Sequence, residues 1–172
     1  MATAALLLTV DEYLHTSYQP DCDYVDGVIE ERNLGEQPHS RIQFAFAILL
    51  SAFEQSLGIR VFPEQRVQTR LTRFRIPDLC VVLSKTKERI FRVPPFLCIE
   101  ILSPEDRLPR VENRLKEYFE MGVQYVWVVD PEQHDAWIYT PPTKIKVADG
   151  YLTTHEPELK VSLEELFRRA EN

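Results

Sequence analysis

The chain has little cysteine: three residues, at positions 22, 80 and 98. An odd number at such wide separation excludes a disulfide framework and a zinc-ligand spacing, and points to a reduced, cytoplasmic setting. Long apolar runs are lacking as well. The longest, Phe44 to Leu50, has seven residues, whereas a membrane-spanning helix needs about 20. No membrane span is expected. The apolar patch Ala4 to Leu8 has no basic residue before it and no small-residue cleavage site after it, so it does not read as a signal peptide. Glycine is scarce, at five residues, and there is no internal repeat, low-complexity tract or linker. Hydrophobic residues at 44% and charged residues at 27% lie near globular averages, which excludes collagen-like, disordered and coiled-coil classes. A chain of 172 residues buries a sizeable core, and one domain spanning 1–172 is expected.

Positive charge is also in deficit, with a net charge of −7, but it is unevenly spread. Residues 1–57 carry −7, residues 58–92 carry +6 and residues 93–172 carry −6. The central block holds nine basic groups, among them Arg66, Arg70, Arg73 and Arg75. Two readings stay open for it. The arginines solvate the outer face of a hairpin, or they offer a local field to a polyanion.

Local signals divide the chain. Thr9-Val10-Asp11-Glu12, Ser40-Arg41-Ile42-Gln43 and Ser162-Leu163-Glu164-Glu165 each have the spacing of a capping box. They predict helices near 10–17, from 40 through Phe53 to a stop at Gly58, and near 163–170. The second is apolar nearly all round and is expected to pack on several sides. A further helix runs from Val111 to Met121 and closes at Gly122. Tyr24–Arg32 reads as a hairpin turning on Asp26-Gly27. Val61–Arg70 and Arg75–Leu83 read as strands, and Phe96–Leu102 and Tyr125–Val129 as buried central strands. Ala136–Tyr139 and Lys144–Thr153 read as an edge meander with turns at Pro141-Pro142 and Asp149-Gly150. Strand, helix and strand over 96–129 form a crossover unit, which implies parallel pairing. The fold class is therefore α/β, a single domain with a mixed β-sheet flanked by helices.

Two acids lie where acids are costly. Asp78 follows Pro77 in the apolar run Ile76 to Val82, and Glu100 interrupts Phe96 to Leu102. A buried carboxylate needs a partner or a cation. On neighbouring strands the two would share a metal, and hard oxygen ligands suit Mg²⁺ or Mn²⁺. Alternatively, each is a solvated strand end or pairs with an arginine.

Ile-Pro-Asp at 76–78, Ile-Glu-Ile-Leu-Ser-Pro at 99–104, Glu-Tyr-Phe-Glu-Met-Gly-Val at 117–123 and Tyr-Val-Trp-Val-Val-Asp-Pro at 125–131 occur in that order. With Leu8 to Leu14, Asp26-Gly27 and Val161-Ser162-Leu163, the pattern resembles the Uma-two-type family of the PD-(D/E)XK nuclease superfamily. The resemblance implies a restriction-endonuclease-like fold and Mg²⁺-dependent cleavage of DNA phosphodiesters. It places Asp78 and Glu100 on the metal-binding acids, joined by the Ile101 carbonyl, and Asp23 and His39 in supporting positions. The superfamily's lysine is absent: Leu102 stands two residues after Glu100, and Arg114 stands where the family's helix supplies the lysine. Lys116 is close in sequence but about 200° round the helix. Arg114 thus carries charge without acting as a base, which leaves two expectations, a nuclease or a nuclease-fold module that binds nucleic acid or a protein. Arg66, Gln68 and Arg70 alternate onto one strand face and, with Arg73 and Arg75, are expected to track phosphates. A homodimer is expected from the aromatic meander, through Trp137, Ile138, Tyr139 and Tyr151.

Overall fold

Two interruptions of the backbone decide the architecture. In the computed structural model, which describes residues 7–33, 35–141, 143–147 and 149–171, neither of the two long strands expected on either side of the Arg-rich turn is continuous. The first divides into β-strands at Arg60–Pro63 and Val67–Arg70, with Glu64 between them at φ 49°. The second divides at Arg73–Arg75 and Leu79–Val82, with Pro77, which has no amide to donate, in the gap. The halves belong to different sheets. In chain order the elements are α1 (Val10–His15), β1 (Asp23–Val25), β2 (Val28–Glu30), α2 (Gln37–Ser51), α3 (Glu54–Leu57), β3 (Arg60–Pro63), β4 (Val67–Arg70), β5 (Arg73–Arg75), β6 (Leu79–Val82), β7 (Leu97–Ile101), α4 (Leu108–Met121), β8 (Tyr125–Asp130), β9 (Asp135–Thr140), β10 (Thr143–Lys146), β11 (Tyr151–Thr153), β12 (Lys160–Ser162) and α5 (Leu163–Glu171).

The main sheet has six strands in the order β10-β9-β8-β7-β6-β3, and only β7 and β8 are parallel. That pair flanks α4, as the crossover unit predicted. A second sheet, β2-β1-β5-β4, is antiparallel throughout, and β11 and β12 form a separate ribbon. The predicted meander therefore ends at Lys146, and Pro142 of its first turn lies outside the described residues. The mixed sheet with flanking helices is as expected; its division at Glu64 and Pro77 is not.

Strand alternation sorts the core into two layers. Leu79, Val81, Leu97, Ile99, Trp127 and Val129 point toward α2 and α5, where Phe46 lies against Trp127. Cys80, Val82, Cys98, Val126 and Val128 point the other way, onto Val111, Leu115 and Tyr118 of α4. A third cluster, Tyr13, Tyr24 and Phe74, fills the second sheet.

Helix ends follow local chemistry in part. Thr9 and Glu12 form the predicted reciprocal cap on α1, and Ser162 Oγ accepts from Glu165 N at the start of α5. Ser40, however, lies inside α2, which begins three residues earlier with Pro38 in its first turn, a position where proline's missing amide costs nothing. Nor is α2 buried all round: Ile42, Ala45, Phe46 and Leu50 are buried, whereas Phe44 is 57% exposed. Gly122 closes α4 at φ 113°, a conformation that side chains avoid.

The meander residues are partly covered within their own chain, with Trp137, Ile138 and Tyr139 half-buried and Tyr151 39% exposed. Trp137 and Tyr139 lie under the Lys144 ammonium, Ile138 packs on the core, and Tyr151 sits under Lys160. Lysines on β10 occupy the sheet's outer edge, where charge discourages strand addition.

Candidate active site

In the β6–β7 ladder Leu79 stands opposite Ile99 and Cys80 opposite Cys98. One further step of that register sets Asp78 opposite Glu100, and both share the face that Cys80 and Cys98 turn toward α4. Both carboxyl groups are buried. Pro77 ends the pairing of the second sheet, so Asp78 sits at the corner between sheets, where its carbonyl accepts from Glu64 N and Gln43 Nε2.

Each carboxylate has its own cation. Asp78 Oδ1 accepts from Arg32 Nη2 at 2.8 Å, with His39 Nε2 3.3 Å away, and Oδ2 accepts from Ile101 N at 2.7 Å. Burial alone would raise the Asp78 pKa, but His39, Arg32 and the Ile101 amide together hold it below its usual value. Glu100 Oε1 accepts from the Tyr118 hydroxyl at 2.7 Å, and Oε2 lies 3.1 Å from Arg114 Nη2. Here burial prevails: with the Asp78 charge adding to it, the Glu100 pKa rises to about 7 in spite of Arg114. Arg114 also faces Asp106 at 3.5 Å.

A cleft of about 210 Å³ opens over this group, lined among others by Asp21, Arg32, His39, Glu64, Asp106 and Arg114. Asp78, Glu100, Ile101 and Arg114 line it together, as does His39, so these five expected residues converge. Asp23 is not among the lining residues. It is buried behind the cleft, accepting from Ile76 N at 3.0 Å and from Arg75 Nη1 at 3.1 Å, and thus braces the segment that leads to Asp78.

One expectation is corrected. Arg75 cannot touch a phosphate: it is 2% exposed and its guanidinium is committed to Asp23, Glu30 and Glu117. A cation buried among three carboxylates is a structural tie. Lys116 points to solvent and stands nearest to Glu120, away from the cleft. Four further arginines of the basic block are also engaged, Arg60 with Glu54, Arg66 with Asp21, Arg70 with Glu120, and Arg73 with Asp26 and Glu117. Gln68 donates to the Leu71 carbonyl. In contrast, Lys85, Lys87, Arg89 and Arg92 form no ion pair among the described residues.

Sequence reasoning missed Arg32 and gave no role to the Tyr118 hydroxyl. The one trace of Arg32 was its rarity: it is one of two basic residues in the acidic first 57.

The molecule is a mixed α/β protein with helices on both faces of its main sheet and two facing buried acids at a polar cleft beside the crossover helix. The chain belongs to the Uma-two-type family, described as "Putative restriction endonuclease", whose model matches residues 10–170. The fold is shared with the crystal structure of a putative nuclease of the DUF820 group from Anabaena variabilis, with a TM-score of 0.81 and 24% identity over 95% of this chain and 99% of that one. No curated protein matches.

Proposed function

We propose that this protein is a divalent-metal-dependent endonuclease that hydrolyses phosphodiester bonds of DNA in the Asp78–Glu100 cleft. The observation that carries the proposal is the cross-strand placement of the two acids, both buried, at the floor of an open polar cleft. The donor set fits a hard cation. Two carboxylates offer roughly eight lone-pair sites, of which their protein partners occupy five. Asp78, Glu100 and the Ile101 carbonyl would hold Mg²⁺ or Mn²⁺. When bound, such an ion neutralises phosphate charge and acidifies water.

The chain's own residues supply the rest. Tyr118 fixes the rotamer of Glu100 by donating to it. Arg114, held between Glu100 and Asp106, keeps a positive charge at the point where negative charge grows in phosphoryl transfer. It keeps its proton at any working pH, so it stands in for lysine as a charge only. His39, at the start of α2, bears on the same Asp78 oxygen as Arg32. Because Arg66, Arg70 and Arg73 already have acidic partners, the phosphate backbone is held chiefly by Lys85, Lys87, Arg89 and Arg92, with Gln68, whose amide donates to the Phe91 carbonyl, beside them. Three buried free thiols agree with a reducing, cytoplasmic setting, and no described helix is long and apolar enough to cross a membrane. One chain carries one such cleft among its described residues, so cutting both strands of a duplex calls for a homodimer at the time of cleavage.

Nicking of supercoiled plasmid with Mg²⁺ or Mn²⁺ tests the proposal. Wild type nicks, whereas Asp78→Ala and Glu100→Gln lose at least a hundredfold. Equal nicking by all three means a contaminating nuclease. No nicking by any would leave the fold as a nucleic-acid-binding module.

A further inference from the structure

Arg32 occupies an unusual position for a cation so deeply placed. It lies outside regular structure, in the connection between β2 and α2, yet its side chain is only 15% exposed. One nitrogen holds Asp78 Oδ1 at 2.8 Å, and the other stands 3.8 Å from Glu64 Oε1 at the rim of the cleft. Arg114, the second guanidinium of the site, differs in its mounting. It projects from the middle of α4 and is held between two carboxylates of its own.

Each guanidinium is thus shared between two carboxylates, Arg32 between Asp78 and Glu64 and Arg114 between Glu100 and Asp106, and His39 also bears on Asp78. A divalent ion added between Asp78 and Glu100 brings two positive charges to within a few ångströms of both guanidiniums, in a buried setting where such repulsion is strong. That repulsion is relieved by moving the cation on the more yielding element, and that is Arg32. Arg32 itself belongs to no strand or helix, and Glu64 offers a nearby alternative. A guanidinium released into a polar cleft seeks an anion that fits its planar fork, and a phosphate does so well.

Resting on the proposal that Asp78 and Glu100 hold a divalent ion, we infer that Arg32 is the resident counter-ion of that position. It holds Asp78 while the ion is absent, yields it when the ion binds, and then contacts a phosphate of the bound DNA. Arg32 thereby makes ion binding and substrate binding support each other, because each takes up what the other releases.

The test measures two affinities that a merely structural arginine would lose together. Mn²⁺ binding is followed by calorimetry in the absence of DNA. Binding of a fluorescent duplex is followed by anisotropy in Ca²⁺, so that cleavage does not interfere. Arg32→Gln is expected to bind Mn²⁺ at least tenfold more tightly than wild type and the duplex at least fivefold more weakly. Arg32→Lys, which keeps the charge but loses the fork, should fall between them on both axes, and it carries the test if the glutamine variant fails to fold. Asp78→Asn should bind no Mn²⁺ at the site. Unchanged or weaker Mn²⁺ binding by both Arg32 variants, with wild type binding in an Asp78-dependent way, overturns the counter-ion role and leaves the cation site standing. Tighter Mn²⁺ with an unchanged duplex affinity overturns the phosphate contact. Mn²⁺ that binds neither wild type nor variant, or binds regardless of Asp78, overturns the cation site and the inference with it.

Discussion

Arg75 and Glu117 form a bidentate pair, Nε to Oε2 and Nη2 to Oε1, both at 2.8 Å, with side chains 3% and 4% exposed. The pair ties β5 to α4, the helix that carries Arg114 and Tyr118 into the cleft. Asp23 and Glu30 share the same guanidinium, so four elements meet at one charge.

Removing that charge should be costly. Arg75→Ala leaves Asp23 and Glu117 buried without their main partner, and breaking a buried pair from one side costs about 3–5 kcal/mol. At roughly 2–4 °C per kcal/mol for a domain of this size, the melting temperature is expected to fall by about 10 °C. Glu117→Gln should cost less, since it removes one negative charge and keeps an acceptor for Arg75. Thermal melting followed by circular dichroism checks the order. Equal melting temperatures for Arg75→Ala and wild type would contradict it.

The same pair sets a pH response. Burial alone would raise the Glu117 pKa, but hydrogen bonding and charge from Arg75, with help from Thr69 and Arg73, depress it below its ordinary value of 4.5. A depressed acid contributes stability that is fully present above 4.5 and is lost as pH falls below it toward the folded-state pKa. The melting temperature of wild type should therefore fall below pH 4.5 more steeply than that of Glu117→Gln. Parallel curves would remove Glu117 as a source of acid lability.

Arg114→Lys is expected to nick plasmid faster than wild type, on the order of tenfold, because a lysine beside a metal can lose its proton and help activate water. Arg114→Ala should cut least, since Glu100 then faces Asp78 without a cation of its own. Quantified initial rates at fixed Mg²⁺ decide, and a lysine variant slower than wild type would mean the guanidinium's longer reach matters more than its basicity.

The cations of residues 85–92, which form no ion pair among the described residues, should dominate DNA affinity. Lys87→Ala with Arg89→Ala is expected to weaken duplex binding and reduce the slope of log affinity against log salt by about two. Arg73→Ala should leave that slope nearly unchanged, because Arg73 already spends its charge on Asp26 and Glu117. Titrations at several salt concentrations separate the two cases.

Some of this protein is written in neighbouring residues. The Thr9–Glu12 cap, the Asp26-Gly27 turn, the parallel β7–α4–β8 unit and the Gly122 stop each depend on a few adjacent side chains and φ angles, so a sequence read locally contains them. Asp78 and Glu100 were legible for a related reason: a carboxylate inside an apolar strand is anomalous wherever that strand goes.

Only the tertiary structure could assign the arginines. Whether each serves a phosphate, a carboxylate or solvent depends on partners far along the chain. Arg32 meets Asp78 across 46 positions, Arg75 meets Glu117 across 42 and Arg66 meets Asp21 across 45. Nor do local patterns separate strands that change sheets at Glu64 and Pro77 from strands that continue, because alternation looks the same on both sides of a corner. Ser40 is a similar case: its spacing to Gln43 satisfies the capping pattern, but Pro38 can occupy the first turn, and α2 extends back to Gln37. Period and capping are set by short-range sterics and hydrogen bonds, whereas charge partners are set by which surfaces the folded chain brings together.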